Sequence, residues 1–490
     1  IEKAASRGRA PADAVRHLRA VAAPADLSGC DVVVEAIPED LALKQRVLGE
    51  VAAVAGPDCV LATNTSSIPV TAVAAGLERP ERVVGMHFFN PAPVMRLVEV
   101  IGGVASAEWA LARVRALGEA MGKRVIDASD GPGFLVNRCN RPFLLEALRC
   151  LQDRIADVET IDRVVRMGGG FRMGPFELSD LVGVDVGFEV AKSFHALSFG
   201  EPRWRPSPLQ ARMAASGRHG RKTGRGWYEY GDGPHRPEDP EPPRLEPGEA
   251  AGGAAAGGGD APVGGAATAG AGAFLVVAGD SPLADELRAA AAGAGWDVRL
   301  PDDAGGEVPW LAVDCGGDDD GEPPLDGAPR LVLCDRGSLA QLEGDGPAAG
   351  FHALAPLDAA RLVEMTRGPS TAPAAAERGE RLFATLGKHV AWVGDAPGLV
   401  LGRIVCQLVN EAAFALGEGV GSAADVDSGM VLGMNHPRGP LEWADLIGLK
   451  HVATVLAALQ AETGEERYRL APELRRRLAL GLTFREVAAV

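Results

Sequence analysis

The chain has 490 residues, with 66 acidic and 49 basic side chains and a formal net charge of −17. This acidic balance argues against nucleic acid or an anionic membrane surface as the main partner. The seven cysteines are scattered and form neither a CxxC pair nor a Cys/His metal spacing. The sequence therefore predicts no metal site and a reducing, cytoplasmic location. No apolar run is long enough to span a membrane.

The first region, residues 1–127, alternates strand-like and helix-like patterns. A helical stretch separates the first two of four short β-branched runs, and this order predicts a parallel, Rossmann-like α/β domain. The four predicted strands are 31–37, 59–64, 82–89 and 96–102. The sequence opens at Ile1 without the strand, Gly-rich turn and helix that hold a dinucleotide pyrophosphate. We therefore expect an N-terminally truncated domain.

Four further regions follow in chain order. Residues 128–231 have apolar positions at helical spacing and predict a helical domain. Residues 232–272 are rich in Pro and Glu and then in Gly and Ala, which predicts a disordered linker. Residues 273–393 open as strand, turn, helix and strand, and predict a second, reduced α/β domain. Residues 394–490 again read as helical.

Several motifs recur along the chain at one offset. His87 and Glu99 each lie 265 positions before a residue of the same type, His352 and Glu364. The same offset relates "DGPGFLVNR" to "DAPGLVLGR" and "GPFELSDLVG" to "GPLEWADLIG". The expected fold is therefore α/β plus α, followed by a degenerate second copy of both.

The first His/Glu pair is a candidate acid–base centre. Glu99 stands inside the apolar run "LVEVI", where a buried carboxylate needs a partner, and His87 is on the adjacent predicted strand. A carboxylate beside an imidazole fixes its tautomer and raises its basicity, as a general base requires. On spacing alone, a core histidine in a structural ion pair explains the pattern equally well.

Two polar segments of the chain add to this centre. "ATNTSS" places Asn64 and Ser66 after a predicted strand, at the sheet edge where open α/β folds bind ligands. Asn137 lies near the start of the helical region, where a cleft between domains would form. Taken separately, such residues are more often caps or turn residues. Ser66 has no surrounding G-x-S-x-G elbow and is not expected to be a nucleophile.

These motifs together resemble a known family. "ATNTSS", "GMHFFNPAPVMRLVEV", "GPGFLVNR", "MGPFELSDLVG" and "GRKTGRGWYEY" resemble the L-3-hydroxyacyl-CoA dehydrogenases. The two-copy layout resembles the bacterial branch that acts on 3-hydroxybutyryl-CoA and 3-hydroxyadipyl-CoA. The resemblance implies NAD-dependent oxidation of (S)-3-hydroxyacyl-CoA to 3-oxoacyl-CoA, in fatty-acid β-oxidation or phenylacetate degradation.

The resemblance also implies roles for single residues. His87 takes the proton of the 3-hydroxyl, Glu99 orients His87, and Ser66 and Asn137 hydrogen-bond the substrate oxygens. The positions that match NAD contacts are Ala36, Glu39, Lys44, Asn64, Asn90 and Lys222.

Without the family, three of these positions have plainer interpretations. Glu39 and Lys44 would form a solvated helix start, and Lys222 would be a surface charge.

The second copy differs at the positions that carry chemistry. Gly402 stands in the place of Asn137, and a loose alignment sets Gly337 against Ser66. We expect the second His/Glu pair to be structural and the second α/β domain to bind no nucleotide. The two helical domains are expected to pair within the chain about a pseudo-two-fold axis, and a homo-oligomer is possible.

Two other functions remain open on the sequence alone. A non-catalytic acyl-CoA-binding or scaffold protein could share the fold. A hydroxyacid or sugar-nucleotide dehydrogenase could do so too, but would need other residues where "HFFNP" stands.

Overall fold

The computed structural model describes residues 14–252, 273–316 and 327–486. The chain forms two compact units, Ile1–Phe134 and Leu135–Val490. The boundary between the α/β unit and the unit that follows it thus lies after Phe134, whereas the sequence predicts it after residue 127. The reason is local: the carboxylate of Asp130 accepts hydrogen bonds from the amides of Val70 and Thr71, which ties this segment to the first unit.

The first unit is a five-stranded sheet with helices. Its strands are β1 (Val32–Glu35), β2 (Val60–Thr63), β3 (Val83–Phe88), β4 (Leu97–Gly102) and β5 (Arg124–Ser129). Its helices are α1 (Leu41–Ala52), α2 (Val70–Ala74) and α3 (Glu108–Ala120). The strand order is β1-β2-β3-β4-β5, and only the β3–β4 pair is antiparallel. The α/β character predicted for this region is confirmed.

The core of the first unit lies between the sheet and α3. β-branched side chains such as Val84 and Val98 are fully buried against Val114 of the helix. Burying one such side chain contributes roughly 1.5–3 kcal/mol. At Gly118 an added Cβ would lie 2.7 Å from Val125 Cγ2, so the helix approaches the sheet closely.

The second unit opens with six helices. They are α4 (Val136–Cys139), α5 (Arg141–Gln152), α6 (Val158–Gly169), α7 (Pro175–Val182), α8 (Val184–Leu197) and α9 (Pro208–Ala215). Asp157 caps the start of α6 through the amide of Thr160, and Pro175 occupies the first position of α7. The predicted helical region after residue 134 is confirmed.

The second unit also contains a seven-stranded sheet. Its strands are β6 (Phe274–Ala278), β7 (Asp297–Arg299), β8 (Leu311–Asp314), β9 (Arg330–Leu333), β10 (Ala349–His352), β11 (Leu362–Arg367) and β12 (His389–Trp392). Its helices are α10 (Pro247–Gly252), α11 (Pro282–Gly293), α12 (Leu339–Glu343) and α13 (Pro373–Thr385). The order β8 to β12, with one antiparallel pair at β10–β11, matches that of β1 to β5.

The second helical region closes this unit. Its helices are α14 (Leu401–Gly417), α15 (Ala423–Met434), α16 (Pro440–Ile447), α17 (Leu449–Thr463) and α18 (Pro472–Leu480). Helices α5 and α14 pack against each other. Arg138 bonds Glu411 at 2.9 Å, and Arg403 bonds Glu146 at 2.8 Å, so each region supplies one arginine and one glutamate to the other.

The described part of the predicted linker is not disordered. Arg236 and His235 hydrogen-bond the carboxylate of Glu177, and Asp239 pairs with Arg166. The prediction of disorder is wrong for residues 232–252, because these charged side chains find partners on the helical surface. Residues 253–272 lie outside the described part of the chain.

Within the described residues, no single helix is long and apolar enough to cross a membrane. One pair, α16 with α17, reaches that length and composition jointly but is bent by 100° at the break.

Candidate active site

Two neighbouring strands of the first unit bring His87 and Glu99 together. The antiparallel register of β3 and β4 sets the two residues directly opposite each other. His87 Nδ1 lies 2.7 Å from Glu99 Oε2, with the imidazole 4% and the glutamate 0% exposed. A buried carboxylate at Nδ1 favours the tautomer that carries its proton there. The lone pair of Nε2 then faces away from Glu99.

The loop after β2 presents Ser66 to the other side of the same ring. Ser66 Oγ lies 3.1 Å from His87 Nε2, and with the proton on Nδ1 the hydroxyl is the donor. Glu99, His87 and Ser66 therefore form one hydrogen-bonded chain. The Nε2 lone pair, which accepts from Ser66 here, can take a proton from another hydroxyl when Ser66 turns its own proton to that oxygen.

Aromatic side chains surround the imidazole. The ring centroid of His87 is 4.7 Å from that of Phe89 and 5.9 Å from that of Phe134, both in edge-to-face arrangements. Phe134 has a φ of +51°, a left-handed conformation that costs a bulky residue of order 1–3 kcal/mol. The apolar surroundings limit water access to the ring and hold it in one orientation.

The carboxylate of Glu39 organises the loop that carries Ser66. Glu39 Oε1 accepts hydrogen bonds from Thr65 Oγ1 at 2.7 Å, from Ser67 Oγ and the Ser67 amide at 2.9 Å, and from the Ser66 amide at 3.0 Å. Partial burial alone would raise the pKa of Glu39, but these hydrogen bonds outweigh it and hold the pKa below the ordinary value. Glu39 is thus an ionised anchor for the Ser66 backbone.

Lys44 lies behind this anchor and is 1% exposed. Its Nζ donates to Glu35 Oε1 at 2.7 Å and lies 3.3 Å from Glu39 Oε2. The interpretation of Glu39 and Lys44 as a solvated helix start is therefore wrong, most clearly for Lys44. The cause is Glu35, the buried last residue of strand β1, which draws the ammonium inward.

Three more predicted positions lie where parallel strands end. Ala36 follows β1 and is exposed, and Asn90 follows β3 and is exposed. Asn64 follows β2, and its Oδ1 accepts a hydrogen bond from the amide of Phe88 at 2.8 Å. The carboxyl ends of parallel strands meet at one sheet edge, the usual ligand edge of this fold class.

Asn137 and Lys222 belong to the second unit. Asn137 is the second residue of α4 and is half-buried. Lys222 is about half exposed, and its Nζ lies 2.7 Å from the carboxylate of Asp185. Within its own unit, Lys222 is a paired surface charge.

Two acidic residues that hold the site were missed by the sequence reasoning. Glu35 accepts hydrogen bonds from Lys44 and, at 2.7 Å, from Thr63 Oγ1. Asp130 caps α2, the helix that follows the Ser66 loop. The signal was available for Glu35, because a carboxylate at the end of the apolar run "DVVVE" needs a buried partner.

Comparison with known proteins agrees with this geometry. Residues 1–131 match the profile described as "3-hydroxyacyl-CoA dehydrogenase, NAD binding domain". Residues 133–230 and 398–486 both match "3-hydroxyacyl-CoA dehydrogenase, C-terminal domain". The chain is 33% identical over 454 residues to 3-hydroxyadipyl-CoA dehydrogenase of Escherichia coli K12, covering 93% of this chain and 82% of that protein.

The chain belongs to the 3-hydroxyacyl-CoA dehydrogenase family. It is also 44% identical over 207 residues to 3-hydroxybutyryl-CoA dehydrogenase of Mycobacterium tuberculosis H37Rv, covering 42% of this chain and 72% of that protein. The solved structure of 3-hydroxybutyryl-CoA dehydrogenase from E. coli K12 superposes with a TM-score of 0.76 at 30% identity, covering 98% of this chain and 88% of that one.

Members of the 3-hydroxyacyl-CoA dehydrogenase family are NAD-dependent oxidoreductases, and NAD is the cofactor of this one. The sheet edge of the first unit fits such a ligand. Ala36 is small and exposed at the end of β1, and Asn90 is exposed at the end of β3. The negative charge of Glu39 is taken up by its hydrogen-bond donors and by Lys44, so it does not repel an anionic dinucleotide.

The second His/Glu pair of this dehydrogenase has the same register but other contacts. His352 lies opposite Glu364 on β10 and β11. Glu364 accepts hydrogen bonds from the amides of Val400 and Leu401 at 2.8 and 3.0 Å. Among the described residues His352 Nδ1 has no hydrogen-bond partner, while Nε2 lies 3.2 Å from His451 Nε2.

The electrostatics of this second pair differ accordingly. Complete burial raises the pKa of Glu364 to about 8 although the amides of Leu401 and Val400 lower it. Burial, and then the nearby His451, holds the pKa of His352 well below its usual range. Near neutral pH, Glu364 is therefore largely protonated and His352 is neutral. The second pair also lacks the carboxylate–imidazole hydrogen bond by which Glu99 orients His87.

The residues around His352 also differ from those around His87. A Cβ at Gly402 would lie 2.3 Å from His352 Cε1, so the ring fills the space of any side chain there. The sequence alignment of Gly337 with Ser66 is wrong. The strand registers pair Gly85 with Thr63 and Gly350 with Val332, which brings Asp335 to the place of Ser66.

Within the described residues, no cluster of three or more His, Cys, Asp or Glu side chains has an arrangement that could hold a metal ion.

Proposed function

We propose that the first α/β domain and the first helical domain catalyse oxidation of (S)-3-hydroxyacyl-CoA to 3-oxoacyl-CoA, with His87 as the general base. The observation that carries this proposal is the position of the imidazole between Glu99 at 2.7 Å and Ser66 at 3.1 Å. NAD, when bound, accepts the hydride from C3. His87 Nε2 takes the proton of the 3-hydroxyl.

Glu99 orients the imidazole and stabilises its cation. As Nε2 gains the proton, the ring becomes positive inside an apolar shell that includes Phe89. The carboxylate 2.7 Å from Nδ1 offsets the cost of that buried charge.

Ser66 and Asn137 position the reacting oxygen. Ser66 Oγ lies beside Nε2 and can donate to an oxygen that reaches the same nitrogen. Asn137 follows Phe134, which contacts the His87 ring, by only three residues in the chain. The remaining cofactor contacts we propose are Ala36, Glu39, Lys44, Asn64, Asn90 and Lys222.

The proposed substrate class is short 3-hydroxyacyl-CoA esters, in fatty-acid or phenylacetate degradation. The names of the similar proteins from E. coli and M. tuberculosis, 3-hydroxyadipyl-CoA and 3-hydroxybutyryl-CoA dehydrogenase, support both acids as candidates. We propose a reducing, cytoplasmic setting, supported by seven scattered cysteines, six of them buried.

Measurement of NADH formation with the (S) and (R) isomers of both esters tests the proposal. Turnover of the (S) isomers alone is expected. Binding of acyl-CoA by calorimetry without NADH formation from any of the four esters would instead favour a non-catalytic acyl-CoA-binding protein.

We propose further that residues 273–490 are a degenerate second copy of the first two domains. The matching strand order and the second match to the C-terminal domain support this. The contacts Arg138–Glu411 and Arg403–Glu146 support pseudo-two-fold pairing of the helical domains. Each arginine and each glutamate of one contact lies 265 positions from the residue of the same type in the other contact, so the two contacts are equivalent. The altered bonds of His352 support a structural role for the second pair.

A further inference from the structure

The paired helical domains contain two equivalent corners that differ in charge. Each corner is built around a short turn, Pro202–Trp204 in one and Glu466–Tyr468 in the other. The turns follow matching glutamates, Glu201 and Glu465, that are 264 positions apart. The corners therefore can be compared residue by residue.

In the corner at Glu201 the charges are paired. Arg469 holds Glu201 through two hydrogen bonds of 2.9 Å, the bidentate geometry of a strong ion pair. Arg203 bonds both Glu201 and Glu411. Phe414 packs under both guanidinium groups, 3.8 Å from that of Arg203 and 5.1 Å from that of Arg469. Both Arg203 and Arg469 therefore have carboxylate partners, and we call this arrangement the closed corner.

In the corner at Glu465 the charges do not balance. Arg149 stands in the place of Phe414 and bonds Glu465, which Arg467 also bonds at 3.1 Å. Arg205, which matches Arg469, is exposed, and its guanidinium has no partner among the described residues. Two guanidinium groups thus share one carboxylate, and a third, that of Arg205, adds positive charge without a partner among the described residues.

This imbalance borders an open cleft of about 220 Å³. The cleft is lined by Arg149, Arg205, Arg467 and Glu465, and by Ser207 and Pro208 at the start of α9. The amino end of a helix adds partial positive charge to the excess of guanidinium charge.

We propose that this cleft binds a phosphate dianion, either inorganic phosphate or a small phosphomonoester. Three guanidinium groups against one carboxylate leave two positive charges, which match the charge of a phosphate near neutral pH. Guanidinium forks bind phosphate oxygens in bidentate fashion. The site lies wholly within the second unit, and it is independent of the proposed oxidation.

Calorimetric titration of the full chain in phosphate-free buffer, with inorganic phosphate and with glycerol 3-phosphate, tests this site. Saturable binding of either ligand is expected, and the tighter one identifies the source. Arg205→Gln should weaken binding about tenfold, as expected for loss of one bidentate ion pair. Arg149→Phe, which copies the closed corner, should abolish it.

Arg212→Gln is the matched control, because Arg212 is an exposed arginine on α9 that does not line the cleft. It should change the dissociation constant by less than about twofold. Absence of saturable binding to the wild type, or equal weakening by Arg205→Gln and Arg212→Gln, would overturn the proposal. Circular dichroism melts of each variant establish that the fold is kept.

Discussion

Arg403 Nε lies 2.8 Å from Glu146 Oε1, and both side chains are almost completely buried between α5 and α14. Loss of one member of a buried ion pair leaves the other without its partner, at a cost of about 3–5 kcal/mol. We therefore expect Glu146→Ala to lower the free energy of unfolding by that amount in urea denaturation. Glu229→Ala removes a partner from the exposed pair with Arg225 and should change it by less than about 0.5 kcal/mol.

A double variant, Arg403→Met with Glu146→Leu, separates lost pairing from lost packing. It should recover part of the stability, because apolar residues replace both charges, but the buried Tyr468 hydroxyl then loses its bonds to Glu146 and Arg403. An unfolding curve for the Glu146→Ala variant that overlays the wild type would show that the pair does not hold the helical domains together.

Substitution of the two histidines tests which copy is catalytic. His87→Ala should lower turnover by about 10²–10⁴, the usual contribution of a positioned general base. His352→Ala should leave turnover nearly unchanged at a temperature where the variant is folded, because that ring bonds His451. The measurement is kcat for NADH formation, and comparable losses from both substitutions would refute a single catalytic copy.

The role of Glu99 can be separated from folding. Glu99→Gln keeps the shape of the side chain but removes the charge that stabilises the imidazolium, so we expect a folded protein with lower kcat. Thermal unfolding serves as the control for structure. Turnover equal to that of the wild type would remove Glu99 from the mechanism.

Gly402 offers a test of the packing around His352. A Cβ there would lie 2.3 Å from His352 Cε1, so Gly402→Ala should destabilise the protein by about 1–3 kcal/mol through overpacking. Gly293→Ala is the control, since a Cβ at this helical position meets nothing within 4 Å. Chemical denaturation should give a lower free energy of unfolding for Gly402→Ala than for Gly293→Ala. Similar values for the two variants would contradict the close contact between residue 402 and His352.

Glu364 makes stability depend on pH. Its pKa is raised from 4.5 to about 8, so the stabilisation from its bound proton is full below about pH 4.5 and is lost as the pH rises through 8. The wild type should therefore lose stability relative to Glu364→Gln between about pH 5 and pH 8. Denaturant titrations at several pH values measure the difference, and parallel curves would show that Glu364 is ionised throughout.

Strand positions and the His87–Glu99 contact follow from the sequence because both depend on local pattern. Apolar runs predict strands, and a carboxylate in such a run must find a partner. The place of Asp335 could not be predicted in this way. A shortened loop hides the register, which only the pairing of β9 with β10 fixes.

Partners distant in sequence explain the other differences. Residues 232–252 have a composition typical of linkers, yet Arg166 and Glu177 on the helical surface bind their charges. The burial of Lys44 depends on Glu35, nine positions earlier. The partners of residues 232–252 cannot be inferred from composition, since they depend on how the helices pack, and the run that ends at Glu35 shows that this carboxylate needs a partner but does not identify Lys44.

The buried ammonium of Lys44 also has a chemical consequence. Thioesters acylate amines, so an enzyme that handles acyl-CoA exposes its own lysines to its substrate. An amine attacks only when it is unprotonated and accessible. Lys44 is held between two carboxylates and is 1% exposed, whereas Lys222 is about half exposed. Burial in the interior ion pair thus shields Lys44 from self-acylation, whereas Lys222 is paired with Asp185 but remains accessible at the surface.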